Sequence, residues 1–343
     1  MSKTEKDVAR ELASAFSEDE LVPTTQTTEW SMSFKSQNGE DEFGTLKRIF
    51  GIRESARGLF EAATGGNGNE KQKILTLHSS SLLAFLCFND IANHPITIDG
   101  IVYDDGTVYN DGTVYNEVMF EVKNNVINNS PGKSNIDVLL MGENRKKLLF
   151  LESKFTEYLS GGKVTLSPHR YEEFYSMLTE KNNFRFSAGY LPVNSKTDKS
   201  QKTQYALYKG KKTSEYLEGI KQAFSHLLGI ATGPAKKQTK GNEDYTSSLL
   251  ENADEIKFAS IVFNCDNKKF DDYKLLYESV FENSEVILET IKEVLPKSEI
   301  KLTIVSELLE YQKDVFQRNN LSDEVRNFYN KVNDSNISFS NGK

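Results

Sequence analysis

The stretch LLFLESKFTEYL at residues 148–159 begins as a buried strand and is then interrupted by charged residues. Four apolar residues open it, Glu152 and Lys154 follow one residue apart, and Phe155 resumes the apolar pattern. Because side chains alternate across a strand, we expect Glu152 and Lys154 on one face. A charged pair inside a buried strand costs free energy unless its members are paired, so this stretch is the first candidate site.

The Glu-x-Lys triplet by itself is not specific, because the sequence contains three others: Glu121–Lys123, Glu255–Lys257 and Glu299–Lys301. The last two lie where predicted strands begin and charged side chains reach solvent. The first lies in a strand whose alternation fits a half-exposed face. The triplet at residues 152–154 differs, because it lies in a strand that is apolar on both faces and follows a second apolar strand containing an acid, Asp137 in SNIDVLLM at 134–141.

A short turn at residues 142–146 separates these two strands and would place Asp137 beside Glu152. Two neighbouring carboxylates repel each other, and burial raises the cost further. A divalent cation between them makes the arrangement favourable, and oxygen ligands in this number suit Mg²⁺, with Mn²⁺ as a substitute. Lys154 could then orient or activate a water molecule and offset charge developing on a phosphate.

The order of predicted elements indicates a mixed α/β fold: a central mixed sheet with helices packed on it. Apolar spacing and turn signals predict helices at 43–63, 70–91, 168–182, 213–229 and 271–295, and strands at 114–127, 134–141, 147–155 and 256–264. Segments 300–311 and 322–332 follow as further elements, expected to be helical.

The predicted organisation is an N-terminal helix with a mobile linker over 1–42, a single domain over 43–332 and a disordered tail over 333–343. Within the domain, 70–264 forms the core and 265–332 a C-terminal α/β extension, which could complete the sheet or carry specificity. The hexapeptide DGTVYN occurs twice in tandem, at 105–110 and 111–116. Two copies are too few for a solenoid, so we interpret them as a duplicated hairpin turn or an insertion before a strand.

Composition predicts a cytoplasmic protein without a membrane span. The longest apolar runs are far shorter than the roughly 18–20 residues that a span needs, and the two cysteines show no zinc-ligand spacing. The net charge is −8, but residues 195–240 hold ten lysines against three acids, a net +7, which leaves −15 for the rest. Such a segment could approach a phosphate backbone, although a solvated lysine-rich loop is the better explanation for most of these lysines.

The sequence contains no Gly-x-Ser-x-Gly elbow, no phosphate-binding Gly-x-x-x-x-Gly-Lys-Ser/Thr loop and no strand-linked Gly-x-Gly-x-x-Gly. Serine hydrolase, NTPase and dinucleotide-dependent functions are therefore unsupported.

Asp137, Glu152 and Lys154 together resemble the PD-(D/E)xK nuclease superfamily, in which an acid on one strand precedes Glu-x-Lys on the next. The family's core order, α-β-β-β-α-β, is similar to the predicted order over 70–264. The resemblance implies a restriction-endonuclease-like three-layer sandwich with a central mixed sheet of four to five strands. Ile136 stands where the family pattern has proline, which lowers the specificity of the motif.

The phrases GNGNE, LHSSSLLAFL, FEVKN, SNIDVLL and LESKFTEYL resemble a bacterial restriction-endonuclease-like subgroup over residues 60–265. In this superfamily a further acid often joins the metal site. Glu70 matches it at the start of the first core helix, and Glu121 is the rival. The resemblance also implies a polar residue of a later helix near the site. Gln222 fits that role, with His226 one turn further on the same face.

The function expected from these features is Mg²⁺-dependent cleavage of DNA by an endonuclease, acting as a homodimer if it cuts both strands. Asp137, Glu152 and Glu70 would hold the metal, and Lys154 and Gln222 would assist the chemistry. Two alternatives stay open. One is a catalytically silent nuclease-like module that binds nucleic acid or protein, and the other is an unrelated α/β protein in which Glu152 and Lys154 form a structural ion pair.

Overall fold

The computed structural model describes residues 3–24, 30–65, 70–98, 101–102, 108–110, 112–125, 133–159, 177, 185–192, 201–209, 212–213, 217–233, 247–281, 284–295 and 304–332. The strands are β1 Leu21–Pro23, β2 Met32–Phe34, β3 Ile96–Ile98, β4 Ile101–Val102, β5 Val108–Asn110, β6 Thr113–Asn125, β7 Lys133–Gly142, β8 Lys147–Lys154, β9 Arg185–Pro192, β10 Gln201–Lys209, β11 Lys212–Thr213, β12 Glu255–Val262 and β13 Ile304–Glu310. The α-helices are α1 Glu5–Ala13, α2 Glu42–Phe50, α3 Arg57–Ala63, α4 Glu70–Lys73, α5 Ser80–Phe88, α6 Leu217–Thr232, α7 Ser247–Glu251, α8 Asn267–Phe281, α9 Ser284–Val294 and α10 Asp323–Asn330.

The fold is mixed α/β, built on a six-stranded mixed sheet in the order β13-β12-β8-β7-β6-β3. Strands β3, β6, β7 and β8 pair antiparallel, whereas β12 pairs parallel with both β8 and β13. Short turns suffice for antiparallel neighbours, but parallel pairing needs long crossovers. The crossover from β8 to β12 includes α6, and the crossover from β12 to β13 includes α8 and α9.

The prediction of a mixed sheet with helices is confirmed. The sheet has six strands, however, where four to five were expected. The strand missed is β13, because IVSELLE at 304–310 lacks strict alternation and was expected to be helical. The short edge strand β3 was also missed. The three-strand meander β6-β7-β8 and strand β12 agree with the predicted strands within a few residues.

Two predicted helices are interrupted. The helix expected over 43–63 ends at Gly51, whose φ of 66° places it in the left-handed region that favours glycine. The helix expected over 70–91 is divided into α4 and α5, and the Ser79 hydroxyl caps the start of α5. The helix expected over 271–295 is described as α8 and α9, and residues 282–283 lie outside the described residues. Of the helix expected over 168–182, the structure describes Met177 alone, which is helical.

The N-terminal segment contributes to the core. Val8, Ala9 and Leu12 of α1 are fully buried, and the part of 21–42 expected to be a linker contains the antiparallel pair β1–β2. The first copy of DGTVYN includes β5, and the second includes the beginning of β6. The predicted tail at 333–343 lies outside the described residues. Among the described helices, none has both the length and the apolar composition needed to cross a bilayer.

Helices contact the sheet at its two faces near β8. Ser153 donates a hydrogen bond from its hydroxyl to the carbonyl oxygen of Ser80 at the start of α5, at 3.0 Å. The neighbouring residue, Glu152, contacts His226 of α6. Because consecutive strand residues point to opposite faces, α5 and α6 lie on opposite sides of β8.

Candidate functional site

The candidate site lies where β7 and β8 stop pairing. Their last paired residues are Val138 and Leu151, so Asp137 and Glu152 are the next residues on each strand and share a face. The Asp137 carboxylate accepts a hydrogen bond from the backbone N–H of Ser153 at 2.8 Å. The structure therefore brings the two predicted acids together at adjacent strands, as the turn between the strands predicted.

Glu152 and Lys154 form a buried ion pair on β8. The Lys154 ammonium donates to Oε1 of Glu152 at 2.7 Å, and the side chains of Lys154 and Glu152 are 8% and 4% exposed, respectively. Burial opposes charge on Lys154, but Glu152, Glu157 and Asp137 raise the pKa of its ammonium. Lys154 is therefore a cation at neutral pH.

The other oxygen of Glu152 faces α6. Nε2 of His226 lies 2.9 Å from Oε2 of Glu152, but the two atoms are not aligned for a hydrogen bond, and neither has another hydrogen-bond partner within the described residues. Although burial favours protonation of Glu152, Lys154 and His226 lower the pKa of this carboxyl to about 2. Glu152 is therefore an ionised carboxylate with one oxygen incompletely satisfied.

Asp137 has the opposite tendency. Burial, followed by the carboxylates of Glu152 and Glu121, raises the pKa of Asp137 well above its ordinary value, against the effects of Lys154 and the Ser153 N–H. Asp137 nevertheless retains intermediate exposure, so it is accessible from solvent. The two neighbouring acids therefore differ, because the surroundings favour the ionised form of Glu152 and the protonated form of Asp137.

Glu121 brings a third acid to this site from β6. It stands between the register pairs Phe120–Val138 and Val122–Ile136, opposite Asp137. Glu121 is buried, and its φ of 53° is in the left-handed region, which a glutamate inside a strand rarely adopts. Such strain persists where surrounding structure imposes it, and it is concentrated at functional sites.

The part of β6 around this residue contacts both helices. Phe120 contacts Phe85 of α5, with ring centroids 5.7 Å apart. Asn124, four residues later, lies against Gly229 of α6. Strict alternation would put both residues on one face, whereas α5 and α6 are on opposite faces. The change of face therefore occurs between Phe120 and Asn124, in the part of β6 that contains the left-handed Glu121.

The remaining predicted site residues are Glu70 and Gln222. The side chain of Glu70 lies outside the described residues, although its backbone begins α4. Gln222 lies one turn before His226 on α6, and its buried Oε1 has no hydrogen-bond partner within the described residues. Sequence reasoning paired His226 with Gln222 but did not predict the contact between His226 and Glu152, and it missed Ser134, whose hydroxyl lies 2.5 Å from Nδ1 of His226.

Within the described residues, no group of three or more His, Cys, Asp or Glu side chains is arranged to hold a metal ion. The donor chemistry nevertheless fits a hard divalent cation, because Asp137 and Glu152 supply carboxylate oxygens and Mg²⁺ keeps several waters of its own. The incompletely satisfied Oε2 of Glu152 is an observation that a cation would account for.

Comparisons of the chain with protein-family models, curated proteins and solved structures found no significant match. The function therefore has to be inferred from the chemistry of the site itself.

Proposed function

We propose that this protein is a Mg²⁺-dependent DNA phosphodiesterase of the PD-(D/E)xK type, with the restriction-endonuclease-like three-layer arrangement. The observation that carries the proposal is the meeting of Asp137 and Glu152 on adjacent strands, with the Lys154 ammonium 2.7 Å from Glu152. An acid on one strand and Glu-x-Lys on the next is the pattern that the superfamily resemblance implies.

Asp137 and Glu152 would hold the cation, with Glu121 or Glu70 as the third acid. The burial of Glu121 and its position opposite Asp137 favour Glu121. When bound, Mg²⁺ would supply an activated water and offset the charge of a phosphate undergoing in-line displacement. Mn²⁺ would substitute for it.

Lys154 would act by donating hydrogen bonds and by its charge. Because the neighbouring carboxylates raise the pKa of Lys154, its side chain stays protonated at neutral pH. It therefore cannot act as a general base toward water. It would orient Glu152 and stabilise negative charge that develops on the phosphate. Gln222, on the same helix as His226, would contribute a polar group toward water or phosphate.

DNA is the proposed substrate for two reasons. The chain resembles a nuclease superfamily, and it contains a lysine-rich segment at 195–240. The described backbone of this segment forms β10, β11 and α6. The segment that would approach the phosphate backbone therefore includes the helix that contacts Glu152. A bacterial, cytoplasmic enzyme acting as a homodimer on double-stranded DNA completes the proposal.

One observation favours a second candidate, a catalytically silent module that binds nucleic acid or protein. Both oxygens of Glu152 already contact nitrogen atoms, those of Lys154 and His226. A closed cluster of this kind can be retained without cation binding. A protein of this kind would bind DNA but would not cleave it in the presence of Mg²⁺ or Mn²⁺.

The test is plasmid cleavage in Mg²⁺ and Mn²⁺ by the wild type, Asp137→Asn and Lys154→Ala. The amide introduced by Asp137→Asn keeps an oxygen that can accept from the Ser153 N–H, so this variant is designed to preserve the fold while removing the negative charge. We expect cleavage by the wild type and a loss of at least about a hundredfold in both variants, because a metal ligand and a charge partner contribute several kcal/mol to the transition state.

Lys257→Ala is the matched control, because Lys257 belongs to the Glu-x-Lys triplet on the neighbouring strand β12. It should cut at the wild-type rate. Cleavage that survives Asp137→Asn would refute the proposed function.

A further inference from the structure

His226 is the one residue of α6 whose contact with Glu152 the structure describes, and two features hold it there. The Ser134 hydroxyl lies 2.5 Å from Nδ1 of its ring. Gly229, one turn later, lies so close to β6 and β7 that an added Cβ would be 2.8 Å from the Cβ of Ser134 and 3.2 Å from that of Asn124. A glycine at 229 therefore permits the close approach of α6 to the sheet that puts His226 against Glu152.

The contact with Ser134 determines what His226 presents to Glu152. If the imidazole is neutral and Nδ1 accepts a hydrogen bond from the Ser134 hydroxyl, the ring hydrogen is on Nε2. Nε2 then carries an N–H near Oε2 of Glu152, 2.9 Å away.

We propose that His226 is a positioning residue that fixes the direction of the Glu152 carboxylate for cation binding, with Ser134 and Gly229 fixing His226. This inference rests on the proposed function and deepens it. Lys154 restrains one oxygen of Glu152 and leaves the carboxylate able to rotate. The His226 ring, with Nε2 2.9 Å from the second oxygen, restricts that freedom.

Partners that orient a ligating carboxylate usually change metal affinity or activity by about 10- to 100-fold when they are removed. A role limited to filling space predicts a different result: His226→Ala would reduce stability and leave cation affinity unchanged. Cation affinity measured without DNA therefore distinguishes the two roles.

The experiment is calorimetric titration of the full chain with Mn²⁺, without DNA, for the wild type and the variants His226→Ala, His226→Asn and His226→Gln. The Gln amide nitrogen can occupy the place of Nε2 and donate to Glu152, whereas the shorter Asn amide reaches Ser134 but not Glu152. We expect the Kd for Mn²⁺ to rise about 10- to 100-fold in His226→Ala and His226→Asn. His226→Gln should recover most of the affinity.

His94→Ala is the matched control, because His94 also lies 2.9 Å from a carboxylate oxygen, that of Asp90, but on the surface. Its Kd should equal that of the wild type. If His226→Ala does not fold, the comparison of His226→Asn with His226→Gln decides, since both variants fill the volume.

Equal Kd values for the wild type, His226→Asn and His226→Gln would overturn the inference. If Asp137→Asn still abolished Mn²⁺ binding and cleavage in that case, the proposed function would stand without it. A wild type that neither binds Mn²⁺ nor cuts DNA would overturn both.

Discussion

The same Glu-x-Lys triplet occurs on two neighbouring parallel strands of the sheet, with different surroundings. On β12, Lys257 lies 3.2 Å from Glu255 at the beginning of the strand, and the two side chains are 12% and 30% exposed. On β8, Lys154 and Glu152 are 2.7 Å apart at the end of the strand and are almost fully buried. The residue paired with Glu152 on β12 is Ser260, a neutral side chain that bonds to Tyr277.

This difference shows that the position of the triplet in the sheet, and not the triplet itself, creates an unusual site. On β12 the pair lies at the beginning of the strand, where water can solvate both charges. Ion pairs of this kind contribute little to the free energy of unfolding. On β8 the pair is desolvated, adjoins Asp137 and contacts His226. The four experiments below test this contrast, beginning with the largest expected effect.

Replacing each lysine by methionine should separate the two triplets most clearly. Lys154→Met leaves the Glu152 carboxylate buried without its main counter-charge, so we expect a loss of about 3 kcal/mol or more in the free energy of unfolding. Lys257→Met removes a partly exposed pair and should cost less than about 1 kcal/mol. Denaturant unfolding monitored by circular dichroism measures both, and equal losses would contradict the contrast.

Gly229→Ala tests the close contact between α6 and the sheet that places His226 against the β8 triplet. The added methyl would meet Ser134 and Asn124, so we expect a loss of about 2 kcal/mol from overpacking. Gly58→Ala in α3 is the control, since nothing lies within 4 Å of an added Cβ there. That change should stabilise the protein by up to about 1 kcal/mol through helix propensity. Unfolding curves showing no loss for Gly229→Ala would mean that the helix adjusts freely.

The strained backbone at Glu121 can be compared with the left-handed Glu143 in the turn between β7 and β8, where φ is 50°. Glycine at either position should relieve strain and stabilise the protein by about 1 kcal/mol. Glu121→Gly should also weaken Mn²⁺ binding, because it removes a buried acid of the site, whereas Glu143→Gly should not. Thermal unfolding with and without Mn²⁺ measures both effects. Equal stabilisation by Mn²⁺ in the two variants would exclude Glu121 from the cation site.

The opposite pKa directions of the two acids predict opposite pH dependences of stability. Since the pKa of Asp137 is raised above its ordinary 3.8, its contribution is fully present below about that pH and is lost as pH rises through the raised value. Since the pKa of Glu152 is lowered from 4.5 to about 2, its contribution is present above 4.5 and is lost as pH falls toward 2.

Asp137→Asn should therefore remove the first dependence and leave the second. We expect this variant to be about 1 kcal/mol more stable than the wild type at about pH 8 and equal to it near about pH 4, measured by urea unfolding across this range. A variant less stable than the wild type at the alkaline end would contradict the raised pKa.

The sequence predicted the centre of the site because it depends on local rules. Strand alternation put Glu152 and Lys154 on one face, and the short turn before β8 placed Asp137 beside them. The contact of His226 with Glu152 depends on how closely α6 approaches β6 and β7, which Gly229 permits and no local pattern reveals. The left-handed conformation of Glu121 is similarly invisible, because the sequence around it alternates like an ordinary strand. Strand β13 was missed because its pairing with β12 is a tertiary contact that outweighs an ambiguous local pattern.

The central claim is that Asp137 and Glu152 together bind one divalent cation, and calorimetric titration with Mn²⁺ in buffers of different ionisation enthalpy tests it most directly. We predict one Mn²⁺ per chain, with proton release at a pH below the raised pKa of Asp137, because a ligating carboxylate must lose its proton. Asp137→Asn should lose the binding and the proton release, while Lys257→Met keeps both. Binding of Mn²⁺ by Asp137→Asn with the wild-type affinity, or no binding by the wild type, would contradict the claim.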